Sequence, residues 1–197
     1  GERETWLLRH RGRAACVRTV DTGLVDARAV PVANHRHAIG ADRLMARLDN
    51  AGVKLVLPQN AGPGLAVGLG GAGVRLTDLA TLYVALARGG EPVQLSWQLE
   101  DRRTAKPLRR LFEPNATWMI GDVLKGAPTP QNAIGGQIAF KTGTSYGYRD
   151  AWAVGYDGAN TIAVWVGRPD GAAVPGVVGR LAAAPILFEA SLRENLS

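Results

Sequence analysis

Phe140-Lys141-Thr142-Gly143-Thr144-Ser145 closes an apolar run with a cation, three hydroxyls and a glycine. On an extended chain, this set can receive a carboxylate. Lys141 offers charge, Thr142 and Thr144 offer donors, and Gly143 removes a side chain so that a ligand can approach the backbone. A backbone N–H just beyond the glycine could also stabilise an oxyanion in acyl transfer. Taken alone, the tripeptide Lys-Thr-Gly reads more simply as a strand ending in a turn.

A second glycine pattern, Gly68-Leu69-Gly70-Gly71-Ala72-Gly73, matches the G-x-G-x-x-G of dinucleotide sites. Such glycines let the backbone approach a pyrophosphate at a helix N-terminus. Two features argue against that use. No strand-helix-strand series precedes it, and the expected helix cap, Thr77, comes four residues after Gly73.

The elements that would position these residues follow from periodicity and punctuation. Residues 41–51 place Leu44, Met45 and Leu48 on one helical face, with Gly52 as a stop. Residues 58–64, Pro-Gln-Asn-Ala-Gly-Pro-Gly, are a loop by composition. Thr77 opens a helix through Leu79, Leu82, Tyr83 and Leu86, ended by Gly89-Gly90. Residues 93–99 and 106–111 are expected as two strands, and Pro114 starts a helix whose apolar stripe is Trp118, Met119, Val123 and Leu124. Residues 137–142 form a strand entering Gly143. Residues 151–156 and 161–166 flank Asp157-Gly158 as a hairpin, and a last helix over 177–194 carries Leu181, Ile186, Leu187 and Leu192. The expected fold class is α+β, an antiparallel sheet flanked by helices.

At 46% hydrophobic and 20% charged, the chain of 197 residues has the composition of a folded globular domain. A formal charge of +6 suits nucleic acid, anionic lipid or an anionic polymer such as cell-wall glycan. An Arg-rich composition without any partner explains it as well, since the arginines are spread along the chain. Trp152, Tyr156 and Trp165 fall on apolar strands, which argues for core rather than a base-stacking platform, so nucleic acid is not expected as a partner. The single cysteine, Cys16, forms no internal disulfide, and His10, His35 and His37 lack partners at metal-ligand offsets. No metal or other cofactor is expected. No apolar run reaches the length that spans a bilayer. The first residues, Gly1-Glu2-Arg3-Glu4, include neither an initiator Met nor a leader, so the chain is read as a segment of a longer protein.

Downstream of Lys141, the sequence runs Tyr146-Gly147-Tyr148-Arg149-Asp150-Ala151-Trp152-Ala153-Val154-Gly155-Tyr156 and then Ala163-Val164-Trp165-Val166-Gly167-Arg168. Upstream stands Gly70-Gly71-Ala72-Gly73-Val74-Arg75-Leu76-Thr77-Asp78-Leu79-Ala80. With Lys141-Thr142-Gly143-Thr144-Ser145, these segments resemble the penicillin-binding transpeptidase family, in particular bifunctional class A enzymes of the penicillin-binding protein 1C type. The resemblance covers about residues 38–190 and implies a β-lactamase/transpeptidase-like fold, incomplete here. Residues 38–197 are then the C-terminal part of a transpeptidase domain, and residues 1–37 a poorly matching N-terminal segment.

The resemblance further implies serine acyl transfer on peptidoglycan stem peptides ending in D-alanyl-D-alanine, and binding of β-lactams. Lys141, Thr142, Gly143 and Thr144 would bind the terminal carboxylate. Lys141 and Thr144 would also take catalytic roles, the Thr144 N–H as an oxyanion-hole donor. The strands beginning at Asp150 and containing Trp165 would be scaffold. The parent protein would lie on the periplasmic face of the inner membrane, held there only by an upstream anchor.

Two family motifs are missing. None of the four serines, Ser96, Ser145, Ser191 and Ser197, has a lysine three residues on, so the S-x-x-K nucleophile is absent. The place for S-x-N, ahead of Val30-Pro31, holds Ala27-Arg28-Ala29. Residues 1–37 are therefore expected to be out of register with the family, through a frame change or divergence, and the chain is expected not to acylate alone. A serine β-lactamase shares the Lys-Thr-Gly strand, but no Glu-centred deacylation loop is evident. A non-catalytic module binding anionic cell-wall polymer is the alternative from another class.

Overall fold

The computed structural model describes residues 3–9, 25–26, 40–58, 62, 64, 67, 71–95, 108–131, 133 and 135–195. The fold is α+β, and its centre is a hairpin of two apolar strands, β6 (Asp150–Tyr156) and β7 (Asn160–Gly167). Asp157 makes the turn. Its Oδ1 accepts the N–H groups of Ala159 and Asn160, each at 2.7 Å, so the side chain does the work of a backbone turn. The outer side of β6 carries β5 (Ala139–Thr144), with Lys141 opposite Val154 and Gly143 opposite Trp152.

The outer side of β7 carries β1 (Arg3–Arg9), which runs antiparallel with Arg3 opposite Val166 and Arg9 opposite Asn160. The sheet order is β1-β7-β6-β5. Local patterning announces no element at residues 3–9. The strand exists because β7 would otherwise leave a long row of unpaired N–H and C=O groups. A smaller sheet joins β2 (Val25–Asp26), β4 (Gly73–Val74) and β3 (Leu55–Val56) in the order β2-β4-β3.

Helices cover both faces of the large sheet. On one face lies α2 (Leu76–Ala87), where Ala80 packs with Val154 and Ala163. Its N-cap is Arg75, so the helix starts before Thr77, and Thr77 instead accepts the hydroxyl of Thr81 through its carbonyl oxygen at 3.0 Å. Asp78, held by Arg75 Nε at 3.1 Å, places a carboxylate in the first turn, where the helix dipole favours it. Beside α2 stands α3 (Pro114–Lys125), which begins at Pro114 as expected. Most of its expected apolar stripe, however, faces outward: Trp118 is 74% and Val123 75% exposed, while Leu124 is half-buried. The helix buries Thr117 and Gly121 instead. A Cβ on Gly121 would lie 3.0 Å from the Tyr156 hydroxyl, so glycine sets the contact face and apolar character does not.

On the opposite face, the chain makes a π-helical segment at Gly179–Ala183 and continues as α4 (Ala184–Asn195). Pro185 explains the irregularity, because it has no N–H to donate and its ring crowds the carbonyl four residues earlier. Leu187 and Phe188 enter the main core with Phe140, Ile162 and Val164, and the Phe140 and Phe188 rings meet edge to face at 5.0 Å. Leu181 and Leu192, expected on the same stripe, are exposed.

Helix α1 (Ala41–Asn50) ends as expected, with Gly52 at φ +77° and Leu48 buried. Residues 93–95 and 108–111 are not strands. Leu111 meets Gly90 at one point, its N–H donating to the Gly90 carbonyl at 2.8 Å, rather than along a ladder. Residues 96–107 lie outside the described residues, as do Cys16, His10, His35, His37, Ser96, Ser197, Ala27-Arg28-Ala29, and most of the loop 58–64 and of the glycine run before Gly71. Among the described residues, no helix is long and apolar enough to cross a membrane.

Leu187 is fully buried, whereas Leu181 is 73% exposed. Leu187→Ala should lower stability by about 2–5 kcal/mol through lost transfer energy and an unfilled cavity. Leu181→Ala should change it by no more than about 0.5 kcal/mol. Urea unfolding checks both, with the midpoint falling for the first at an unchanged slope.

Candidate functional site at the edge of the sheet

Lys141, Thr142, Gly143 and Thr144 all lie within β5, which is the last strand of its sheet among the described residues. The residue types suggest that the strand ends at the motif; instead the strand runs through it. Its hydrogen-bond phase is fixed just beyond, where Ser145 N–H donates to the Asp150 carbonyl at 2.9 Å. Antiparallel pairing alternates inward- and outward-facing residues, so Lys141 and Gly143 turn their N–H groups to β6. Those of Thr142 and Thr144 turn to the outer edge. Gly155 agrees with this phase. A Cβ there would lie 2.8 Å from that of Phe140, the close approach of a non-hydrogen-bonded pair.

Side chains divide between the two faces. Lys141 and Gly143 share the α2 side with Val154 and Trp152, their cross-strand partners. Thr142 and Thr144 share the α4 side with Phe140. Lys141 is half-buried, and its Nζ donates to the Thr142 carbonyl oxygen. Burial holds the Lys141 ammonium below the usual lysine range, because desolvation penalises the charged form. Thr144 Oγ1 accepts the Gly179 N–H at 3.0 Å, so this hydroxyl is anchored to the π-helical segment. The convergent groups at the outer edge are therefore the Lys141 ammonium and the backbone N–H groups of Thr142 and Thr144, rather than a row of side-chain hydroxyls.

Gly179 sits directly on the backbone of this site. A methyl there would fall 2.5 Å from the Trp152 carbonyl oxygen and closer still to that of Gly143. The turn after β5 is equally constrained. Ser145 is buried and its Oγ accepts the Asp150 N–H at 2.9 Å, while Gly147 at φ +76° and Tyr148 at φ +56° reverse the chain. Asp150, also buried, accepts the Trp165 indole N–H at 2.8 Å. The Asp150 and Trp165 strands are thus a packed frame behind the edge. Residue-type reasoning missed the part played by Ser145 and Gly179. A glycine followed by a proline-containing helix was the available signal. Among the described residues, no three His, Cys, Asp or Glu side chains group as a metal site requires.

Gly179→Ala should therefore cost about 1–3 kcal/mol, since the blocking atoms are backbone. Gly158→Ala, with nothing within 4 Å and no left-handed φ, should stay within about 0.5 kcal/mol of the parent. Thermal unfolding of both variants decides the matter.

No family model matches the chain. Penicillin-binding protein 1C of Escherichia coli (strain K12) is 39% identical over 173 residues, a match covering 86% of this chain and 22% of that protein's length. Among solved structures, penicillin-binding protein PonA1 of Mycobacterium tuberculosis superposes with a TM-score of 0.56 at 21% identity, over 77% of this chain and 48% of that one. Penicillin-binding protein A of M. tuberculosis, solved as an imipenem acyl-enzyme complex, gives 0.58 at 22% identity, over 80% and 43%. Penicillin-binding protein 1A of Haemophilus influenzae gives 0.57 at 16%, over 78% and 31%. These three likenesses establish the fold, which is that of β-lactamase/transpeptidase domains. The sequence match adds that most of this chain is similar to a segment of penicillin-binding protein 1C, and the chain spans about a fifth of that protein's length.

Proposed function

We propose that this chain supplies the carboxylate-binding edge of a peptidoglycan D,D-transpeptidase, with residues 38–197 forming the C-terminal part of that domain and residues 1–37 a divergent segment. The observation that carries the reading is the half-buried Lys141 beside two outward-turned N–H groups on a sheet edge. Its ammonium takes the terminal carboxylate of a D-alanyl-D-alanine stem peptide, with Thr142 and Gly143 lining the approach. The Thr144 N–H points where negative charge develops on the attacked carbonyl, so a preorganised dipole meets it there. A β-lactam, which carries a carboxylate and a reactive carbonyl, fits the same groups, and a structural relative is an imipenem acyl-enzyme. The parent protein works at the periplasmic face of the inner membrane.

The nucleophile is supplied by residues other than these. No serine of the chain is followed three positions on by lysine. Ser145 and Ser191 are both buried, the first bonded to Asp150 and the second to Asp157 at 3.4 Å. Incubation with a penicillin should therefore leave the intact mass unchanged. A stoichiometric covalent adduct in time-resolved mass spectrometry would contradict the reading. The alternative, a non-catalytic module binding anionic cell-wall polymer, draws on the +6 charge and would show as sacculus binding indifferent to Lys141.

Reversible binding tests the edge itself. A charge-assisted hydrogen bond contributes about 1.5–3 kcal/mol, so Lys141→Ala should weaken D-alanyl-D-alanine binding by roughly 10- to 100-fold in calorimetry. Because burial lowers the Lys141 pKa from 10.5, binding should fall at a pH below that at which an ordinary lysine loses its charge. Folding stability moves the other way. The unfolded chain holds that proton to higher pH, so Lys141 opposes folding below its folded pKa, and this penalty is lifted as pH rises towards 10.5.

A further inference from the structure

Arginines dispersed in the sequence meet in one cleft of the fold. Helix α1 presents Arg43, Arg47 and Asn50 along a single stripe, facing Arg109, Arg110 and Glu113, and these residues line a cleft of about 710 Å³. Its floor is firm. Leu111 is buried against Ala51 and Ala85, which ties the 108–113 segment to the end of α1 and to α2.

The charges in the cleft are unbalanced. Arg110 is satisfied, with Nη1 donating to the Gly89 carbonyl at 2.5 Å and Nη2 paired with Glu91 Oε1. Arg43, Arg47 and Arg109 are exposed and make no ion pair with any described residue. Among the described residues, Glu113 is the one carboxylate of the lining, and the acidic residues of α1, Asp42 and Asp49, stand off the stripe. Like charges one turn apart, as Arg43 and Arg47 are, destabilise a helix unless something offsets them.

We infer that the cleft between α1 and residues 109–113 binds a polyanion carrying linked phosphate groups, at a site separate from the β5 edge. Guanidinium forks match phosphate oxygens bidentately, whereas an ammonium offers only a point charge. Three guanidinium groups without an ionic partner among the described residues call for several negative charges on one ligand, and the cleft has room for more than one phosphate. A soluble phosphate chain and the headgroups of an anionic lipid surface offer this same chemistry. The inference does not rest on the transpeptidase reading, and phosphate rather than penicillin or D-alanyl-D-alanine tests it.

Calorimetric titration of the full chain with inorganic tripolyphosphate, at fixed ionic strength, is the test. Saturable binding is expected, weakened at least tenfold in the Arg43→Gln/Arg47→Gln variant and unchanged in Lys141→Ala. Gln is a comparable helix former at these exposed positions, so the double variant should keep its circular dichroism and melting temperature. Sedimentation with phosphatidylglycerol vesicles, but not with phosphatidylcholine vesicles, and its loss in the double variant would make lipid headgroups the source. Tripolyphosphate binding without sedimentation would make it a soluble chain. The inference is overturned if tripolyphosphate does no more than sodium chloride of equal ionic strength. It is overturned equally if the double variant binds as tightly as the parent, or if triglutamate binds as tightly as tripolyphosphate.

Discussion

The rest of the structure depends on the contact between Gly179 and the sheet backbone at Gly143 and Trp152. A residue with any side chain would meet two carbonyl oxygens there. Because glycine admits the approach, its N–H reaches Thr144 Oγ1, the π-helical segment lies flat on the sheet, and α4 follows at a depth that buries Leu187 and Phe188. The same contact fixes β5 from behind. The edge that carries Lys141 is therefore backed by packed core on the α4 side and by the Asp150–Trp165 pair at its end.

A strand at the edge of a sheet has N–H groups to spare, and natural sheets usually blunt or cover such edges. Among the described residues, this edge is polar and charged rather than capped by another strand. That arrangement suits a ligand that is itself extended and ends in a carboxylate, because the backbone supplies donors and the lysine supplies charge. Holding the ammonium half-buried lowers its pKa. It also strengthens its attraction to an anion that arrives with little water between them.

Much of this was legible in local sequence, and the exceptions share one cause. Asp157-Gly158 marked the β6–β7 turn because an Asx turn is made by the residues that name it. Gly52 and Pro114 marked helix ends for the same reason. Periodicity then told which residues share a face, but not whether that face finds a partner. Met119 and Val123 lie together on α3 as expected and yet face outward, since Gly121 brings another side of the helix to Tyr156. Pairing of β1 with β7 joins chain ends far apart in sequence, beyond any local window. So does the meeting of Arg43 and Arg47 with Arg109. The Lys-Thr-Gly motif reads in sequence as a strand end, whereas the strand continues through it to Thr144. Which of its groups face outward depended on hydrogen-bond phase, and that was set by Ser145 and Asp150.

Amide hydrogen exchange across β5, followed by NMR with and without D-alanyl-D-alanine, tests the central claim most directly. In the free chain, Thr142 and Thr144 amides should exchange faster than those of Lys141, Gly143 and Ser145, and ligand should slow the Thr144 amide while leaving the inward ones as they were. Thr142 and Thr144 amides already as protected as that of Gly143, or a Thr144 amide indifferent to saturating ligand, would contradict the account.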